Sequence, residues 1–175
     1  MQVSAGKRST VLFVSIILTF FVLMPLMAQD KTKVSGTMTL AATKQEMAEI
    51  GDTKDHTVSY SIFEGTNFST GAHKFMDGAQ VTNISFNDLV MGSGPHQTYV
   101  TVAQKDNAII AKCEGKSKTT LSPDGTMIVT FEGTFTYVGG KGAFENIQGK
   151  GTYKGKYLAK NIYTTEWQGE YFIKK

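Results

Sequence analysis

The sequence has few of the residues that usually build metal sites, because its 175 residues include one cysteine and three histidines. The lone Cys113 excludes an intrachain disulfide, and it shares parity with Ile109 and Ala111, which indicates a buried thiol on a strand. The histidines are His56, His73 and His96. They lie far apart in the sequence and no cluster of carboxylates accompanies them. The sequence therefore predicts no metal and no cofactor.

An excess of charge of one sign is also lacking. Without Lys7 and Arg8, the 18 basic residues of the chain fall to 16, against 15 acidic ones. That balance gives no electrostatic basis for binding nucleic acid. A nucleophile elbow of the form G-x-S-x-G is absent, and residues 139–142 (GGKG) lack the spacing of a phosphate-binding loop. The catalytic residues stay unknown, and whether the chain is an enzyme stays open.

The first 28 residues differ in composition from the rest. Lys7 and Arg8 precede residues 11–26, a mostly apolar run without a charge, and the segment ends at Ala28. This pattern predicts a signal peptide over residues 1–28, cleaved before Gln29. An uncleaved membrane anchor is the alternative, because the run is nearly long enough to span a bilayer. We expect residues 29–175 to form one domain that is secreted or periplasmic.

The remaining chain alternates apolar and polar side chains, most regularly in its last third. Phe131, Phe135 and Tyr137 share one parity, and threonines fill the other. Since neighbouring side chains of a strand point to opposite faces, the pattern predicts about eight strands with an aromatic interior. Residues 43–55 interrupt the pattern, and within them Lys44 to Glu49 are expected to form one helical turn or a loop. Residues 79–86 are expected to contain a bulge or a one-residue slip, because Val81 and Ile84 are out of phase.

Glycines on the inward parity favour a closed barrel over a sandwich. Gly151 and Gly155 alternate with Tyr153 on one predicted strand, and Gly169 follows Trp167 on the next. Small residues beside large ones are typical of a barrel interior, where glycine also lets strands bend. We therefore predict an all-β domain, a single antiparallel closed barrel of about eight strands.

Three stretches carry a resemblance to known proteins. Residues 131–155 (FEGTFTYVGGKGAFENIQGKGTYKG) resemble a segment of the allene oxide cyclase and dirigent barrel superfamily. Together with residues 92–97 (GSGPHQ) and 166–171 (EWQGEY), they also resemble uncharacterised exported bacterial proteins. The resemblance implies an eight-stranded antiparallel barrel, often trimeric, whose apolar interior encloses a small hydrophobic molecule. No catalytic residue of the superfamily can be placed on this chain.

The inward tyrosines and a glycine-rich loop mark a predicted ligand pocket. Buried phenols need hydrogen-bond partners, because an unpaired one costs about 1–3 kcal/mol, so water or a ligand is expected beside them. His96 lies in residues 92–97, where a barrel mouth would admit a ligand. The predicted pocket residues are His96, Tyr99, Tyr137, Tyr153, Tyr157, Tyr163 and Trp167.

Three functions are compatible with these features. The first is an exported barrel that binds a small hydrophobic or aromatic molecule, or has an extracytoplasmic structural role. The second is an isomerase or cyclase resembling allene oxide cyclase, acting on a small apolar substrate in the barrel interior. The third is a factor that acts through protein partners, for which Ile110, Ile128, Ile162 and Phe172 are outward candidates. Contact with a membrane is expected only if the first segment is uncleaved. A homo-oligomer, a trimer, is implied only by the resemblance to the barrel superfamily.

Overall fold

The computed structural model describes residues 30–175, so the predicted signal peptide lies outside the described residues. These residues form one closed barrel of eight antiparallel strands, and each strand pairs with its neighbour in sequence. Pairing of the first strand with the last, from Thr32–Tyr171 to Ala41–Ile162, closes the sheet. The strands are β1 Thr32–Glu49, β2 His56–Ser69, β3 Gln80–Val90, β4 Gly94–Gln104, β5 Asn107–Leu121, β6 Met127–Lys141, β7 Ile147–Ala159 and β8 Ile162–Ile173. The predicted closed all-β fold is confirmed.

Helical structure is minor in the described part of the chain. A single 3-10 turn, Gly142–Phe144, joins β6 to β7. No helix within residues 30–175 is long and apolar enough to cross a membrane.

Strand β1 corrects the expectation of a helical turn or loop over Lys44 to Glu49, whereas residues 50–55 do form the connection to β2. The strand continues to Glu49, with an irregularity in its pairing to β2 between Ala42 and Lys44. Beyond Ala41 it has left β8 and pairs with β2 alone. This extension is solvent-exposed on both faces, so no inward side needed apolar residues and the sequence showed no alternation there.

Strand β3 corrects the second expectation, since it pairs regularly with β2 and β4 and contains no bulge. Its inward parity carries Val81, Asn83, Ser85 and Asn87, whereas Phe86 on the outward parity is 47% exposed. The apparent slip in the sequence arose because this strand presents polar side chains to the barrel interior.

Glycines let the aromatic rings lie along the inner wall of the barrel. Gly133 pairs with Tyr153 across β6 and β7, and a Cβ atom at Gly133 would lie 2.5 Å from the Tyr153 hydroxyl. A Cβ atom at Gly151 would lie 2.3 Å from the Phe135 ring, and one at Gly36 would lie 2.6 Å from the Trp167 ring. Each ring thus occupies the space above a glycine of a neighbouring strand. Large side chains therefore line the interior without filling it.

Candidate functional site

One end of the barrel is closed by residues 70–79, which we call the floor segment. Phe75 and Met76 of this segment are buried, and the Phe75 ring packs near Trp167 at 6.0 Å between centroids. The fully buried Asn67 at the end of β2 holds the floor in place. Its Nδ2 atom donates to the carbonyl oxygens of Phe75 (3.1 Å) and Met76 (2.8 Å). Its Oδ1 atom accepts a hydrogen bond from Trp167 Nε1 at 3.0 Å.

Above the floor lies an internal cavity of about 110 Å³ with two chemically different sides. Strands β6, β7 and β8 supply the aromatic wall, which consists of Phe131, Phe135, Tyr137, Tyr153, Tyr157, Tyr163 and Trp167. Strands β3, β4 and β5 supply the opposite side. Its polar side chains, which we call the polar wall, are Asn83, Ser85, Asn87, His96, Thr98 and Ser117, and they lie beside the apolar Val100, Val102, Ile109, Ala111 and Cys113. The space is large enough for several water molecules or one small ring. The interior is therefore amphipathic and hollow.

His96 and Tyr153 join the two walls. His96 Nε2 lies 2.6 Å from the Tyr153 hydroxyl, and His96 Nδ1 lies 3.2 Å from Ser117 Oγ. The tyrosine reaches across Gly133 and Gly115, where Cβ atoms would meet its hydroxyl at 2.5 and 2.6 Å. Burial lowers the pKa of His96 and raises that of Tyr153, so both groups are held in their neutral forms. The pair can offer a donor or an acceptor, depending on the imidazole tautomer.

A second bond between the walls leaves one polar atom without a partner. Asn83 Nδ2 donates to the Tyr163 hydroxyl oxygen at 2.5 Å. The Asn83 Oδ1 atom is buried and has no hydrogen-bond partner among the described residues. An unpaired buried carbonyl costs about 1–3 kcal/mol. Asn83 lines the cavity and carries an unused acceptor atom, and that atom is itself covered by protein.

The structure brings together all of the predicted pocket residues except Tyr99. Tyr99 is outward and 39% exposed, because its neighbours Thr98 and Val100 take the inward parity of β4. Cys113 is buried in the cavity wall as predicted, and burial raises the pKa of its thiol to about 12.

The sequence pattern did not reveal the polar side chains of β3. Asn83, Ser85 and Asn87 stand at alternate positions and line the cavity. Ser85 Oγ donates to Asn87 Oδ1 at 3.3 Å. These residues share their parity with Val81, which indicated that they face inward. The apolar Ile84 and Phe86 on the other parity made the inward face ambiguous in the sequence.

A wider groove of about 850 Å³ crosses β1 to β5 near the opposite end from the floor. It shares Asn87 and His96 with the internal cavity. Met47, Tyr60 and Phe86 give it an apolar side. The shared residues place His96 where the groove and the cavity adjoin.

Within residues 30–175, no group of three or more histidine, cysteine or acidic side chains is arranged to hold a metal ion.

The fold and the site together define a small closed β-barrel whose cavity is aromatic on one side and carries both polar and aliphatic side chains on the other. No protein-family model matches the chain, and no curated protein matches it. Two solved structures to which it is similar are dirigent proteins. The pterocarpan synthase dirigent protein GePTS1 is 16% identical, with a TM-score of 0.49 over 84% of this chain and 92% of that one. The pterocarpan synthase dirigent protein PsPTS1 is 14% identical, with a TM-score of 0.37 over 83% of this chain and 97% of that one. The barrel architecture rests on the strand pairing of this chain itself.

Proposed function

We propose that the chain is a binding protein that encloses one small aromatic molecule bearing a hydroxyl group. The observation that carries the proposal is the hollow interior, in which an aromatic wall faces a polar wall across about 110 Å³. An aromatic ring would stack against Phe131 or Tyr157. Its hydroxyl would donate to Asn83 Oδ1 after a small rotation of the amide, because that atom is covered in the free protein. Enclosed apolar cavities with a few placed polar groups are typical of small-molecule sites.

The interior favours binding over acid–base turnover in an isomerase or cyclase. His96 and Tyr153 are the groups best placed to transfer a proton. Burial lowers the pKa of His96 and raises that of Tyr153, so each group favours its neutral form. A proton transfer between them would create two charges in a poorly solvated space, which is costly. A hydrogen-bonding role for the pair carries no such cost.

Fluorescence of Trp167 provides a direct test, because Trp167 is the only tryptophan of the chain and lines the cavity. We expect 4-propylphenol to change its emission saturably. The hydroxyl-free analogue propylbenzene should bind about fivefold more weakly, which corresponds to one lost hydrogen bond.

Two variants serve as controls for this titration. Asn83→Leu should remove the preference for the phenol over propylbenzene, whereas Tyr99→Phe on the outer face should leave both titrations unchanged. The binding function would be rejected by two results together. Neither compound would change the emission of Trp167, and native mass spectrometry of protein from its own host would show a ligand-free mass.

We also propose that the chain is exported and that its first 28 residues are removed. The support is the sequence pattern of Lys7, Arg8 and the uncharged run that follows. N-terminal sequencing of the protein recovered from outside the cytoplasm should begin at Gln29. Recovery of an intact Met1 in a membrane fraction would support the uncleaved anchor instead. Native mass spectrometry of the same sample tests the trimer that the resemblance implies.

A further inference from the structure

The cavity wall contains no formally charged side chain among the described residues that line it. The strands β5 to β8 are rich in lysine and glutamate, but these residues take the outward parity. Lys154, for example, pairs with Glu166 on the outside at 3.2 Å, and Lys112 pairs with Glu114 at 2.7 Å. An ion entering the cavity would therefore find no counter-ion.

The side-chain amides of the cavity offer little to an anion. The Nδ2 atoms of Asn67, Asn83 and Asn87 each donate to an acceptor of the protein. The oxygen atoms of Asn67 and Asn87 also have partners, whereas Asn83 Oδ1 has none among the described residues. The unused capacity of this set is a hydrogen-bond acceptor. It suits a neutral donor such as a hydroxyl group and opposes a carboxylate or phenolate.

The titratable groups that face the cavity respond to the same environment. Burial raises the pKa of the Cys113 thiol and of four tyrosine hydroxyls, and it lowers the pKa of His96. The tyrosines are Tyr137, Tyr153, Tyr157 and Tyr163. Every one of these shifts favours the uncharged form of its group. These groups come from β4 to β8, so the effect belongs to the cavity as a whole.

We propose that the cavity selects the protonation state of its ligand, binding the uncharged form and rejecting the anion, with Asn83 accepting the hydrogen bond of the neutral hydroxyl. This inference rests on the proposed binding function and adds a rule of specificity to it. A hydroxylated aromatic compound with an additional carboxylate would be excluded, whatever its shape.

The probe 4-nitrophenol tests this rule, because its neutral and ionised forms absorb at different wavelengths and it ionises near neutral pH. We expect the neutral form to bind at least about tenfold more tightly than the phenolate, so that the pKa of the bound probe rises by about one unit or more. Absorbance titrations of the probe between pH 5 and 9, with and without excess protein, measure the shift.

A charge-matched pair of variants completes the test. Ser117→Lys places an ammonium group at the half-buried edge of the cavity, and it should lower the pKa of the bound probe toward its free value. Thr120→Lys adds the same charge on the exposed outer face of β5 and should leave the shift intact. Circular dichroism confirms that both variants are folded.

Each remaining outcome has a distinct meaning. A bound pKa below the free value, with Trp167 fluorescence still showing saturable binding, would overturn charge selection and leave the binding function standing. Charge selection and the binding function would both be overturned if 4-nitrophenol changed neither its own absorbance nor Trp167 fluorescence at any pH, and 4-propylphenol also gave no response.

Discussion

At the scale of single residues, the hollow interior depends on where glycine stands. His96, Gly115, Gly133 and Tyr153 occupy one row across four neighbouring strands. The two glycines between the polar residues leave the space through which the Tyr153 ring reaches His96. A larger residue at either glycine would collide with the Tyr153 hydroxyl. Glycine here determines the direction of a side chain on the next strand.

The first prediction concerns Gly133→Ala. The new Cβ atom would lie 2.5 Å from the Tyr153 hydroxyl and 2.2 Å from the backbone oxygen of Glu114. We expect this overpacking to lower the free energy of unfolding by about 1–3 kcal/mol, measured by urea denaturation. Gly139→Ala on the same strand is the control, because its Cβ atom would meet Ile110 at an ordinary 3.7 Å. Equal stability of the two variants would contradict the role assigned to the row.

At the scale of strands, the sequence predicted β6 to β8 well, whereas it missed the end of β1, suggested a slip in β3 that is absent, and placed Tyr99 on the wrong face of β4. The last three strands alternate cleanly because their inward side chains are mostly aromatic residues and glycines, whereas most of their outward ones are charged or threonine. Strand β3 could not be assigned in the same way, because Asn83, Ser85 and Asn87 face inward only where the barrel is hollow. That hollow is a property of the closed sheet, so apolar periodicity alone does not reveal it. The end of β1 was missed because neither of its faces is buried.

The floor segment gives the second prediction. Asn67→Ala would remove the donor to the Phe75 and Met76 carbonyls and the acceptor for Trp167 Nε1. Because these groups are buried, we expect a loss of about 3 kcal/mol in the free energy of unfolding and a changed Trp167 emission. Gln104→Ala is a matched control. It removes an exposed 2.8 Å hydrogen bond to Asp77 of the same segment and should cost less than about 0.5 kcal/mol. A similar cost for both would show that the floor is not held by Asn67.

A histidine between two strands gives the third prediction, which concerns pH. His56 Nε2 lies 2.7 Å from Asp88 on β3, and His56 Nδ1 contacts Asp52 in the loop after β1. The bonds to Asp88 and then to Asp52 raise the pKa of His56, because only the imidazolium donates from both nitrogens. A raised folded-state pKa means that this stabilisation is complete below the unfolded value of about 6.5 and is lost as pH rises through the folded value.

We therefore expect the stability difference between the wild type and His56→Gln to be largest near pH 6 and to shrink toward pH 9. Urea denaturation at several pH values measures it. In an Asp88→Asn background the decline with pH should be smaller, because the stronger of the two partners is gone. A difference that grows with pH would show that His56 is bound as the neutral base.

At the scale of the whole molecule, the side chains of the barrel leave part of its interior unfilled, and this lowers the packing energy. At about 24 cal/mol per Å³, a cavity of about 110 Å³ corresponds to roughly 2–3 kcal/mol of lost packing. A domain of this size has only about 5–15 kcal/mol of net stability, so the loss is a large fraction of the total. A structural barrel would gain by filling the interior. An interior of this kind agrees with the binding function that we propose.

The last prediction fills the cavity from a position that makes no side-chain hydrogen bond. Ala111 is buried on the inward side of β5 and lines the hollow, so Ala111→Leu would extend three carbon atoms into it. We expect the free energy of unfolding to stay the same or to rise by about 1 kcal/mol, while 4-propylphenol no longer changes Trp167 fluorescence. Ala103→Leu, on the outward parity of β4, should preserve the fluorescence response. A loss of several kcal/mol in Ala111→Leu would instead mean that the interior has no room for the added atoms. In that case the binding function would lose its principal support, because a filled barrel offers a ligand no space.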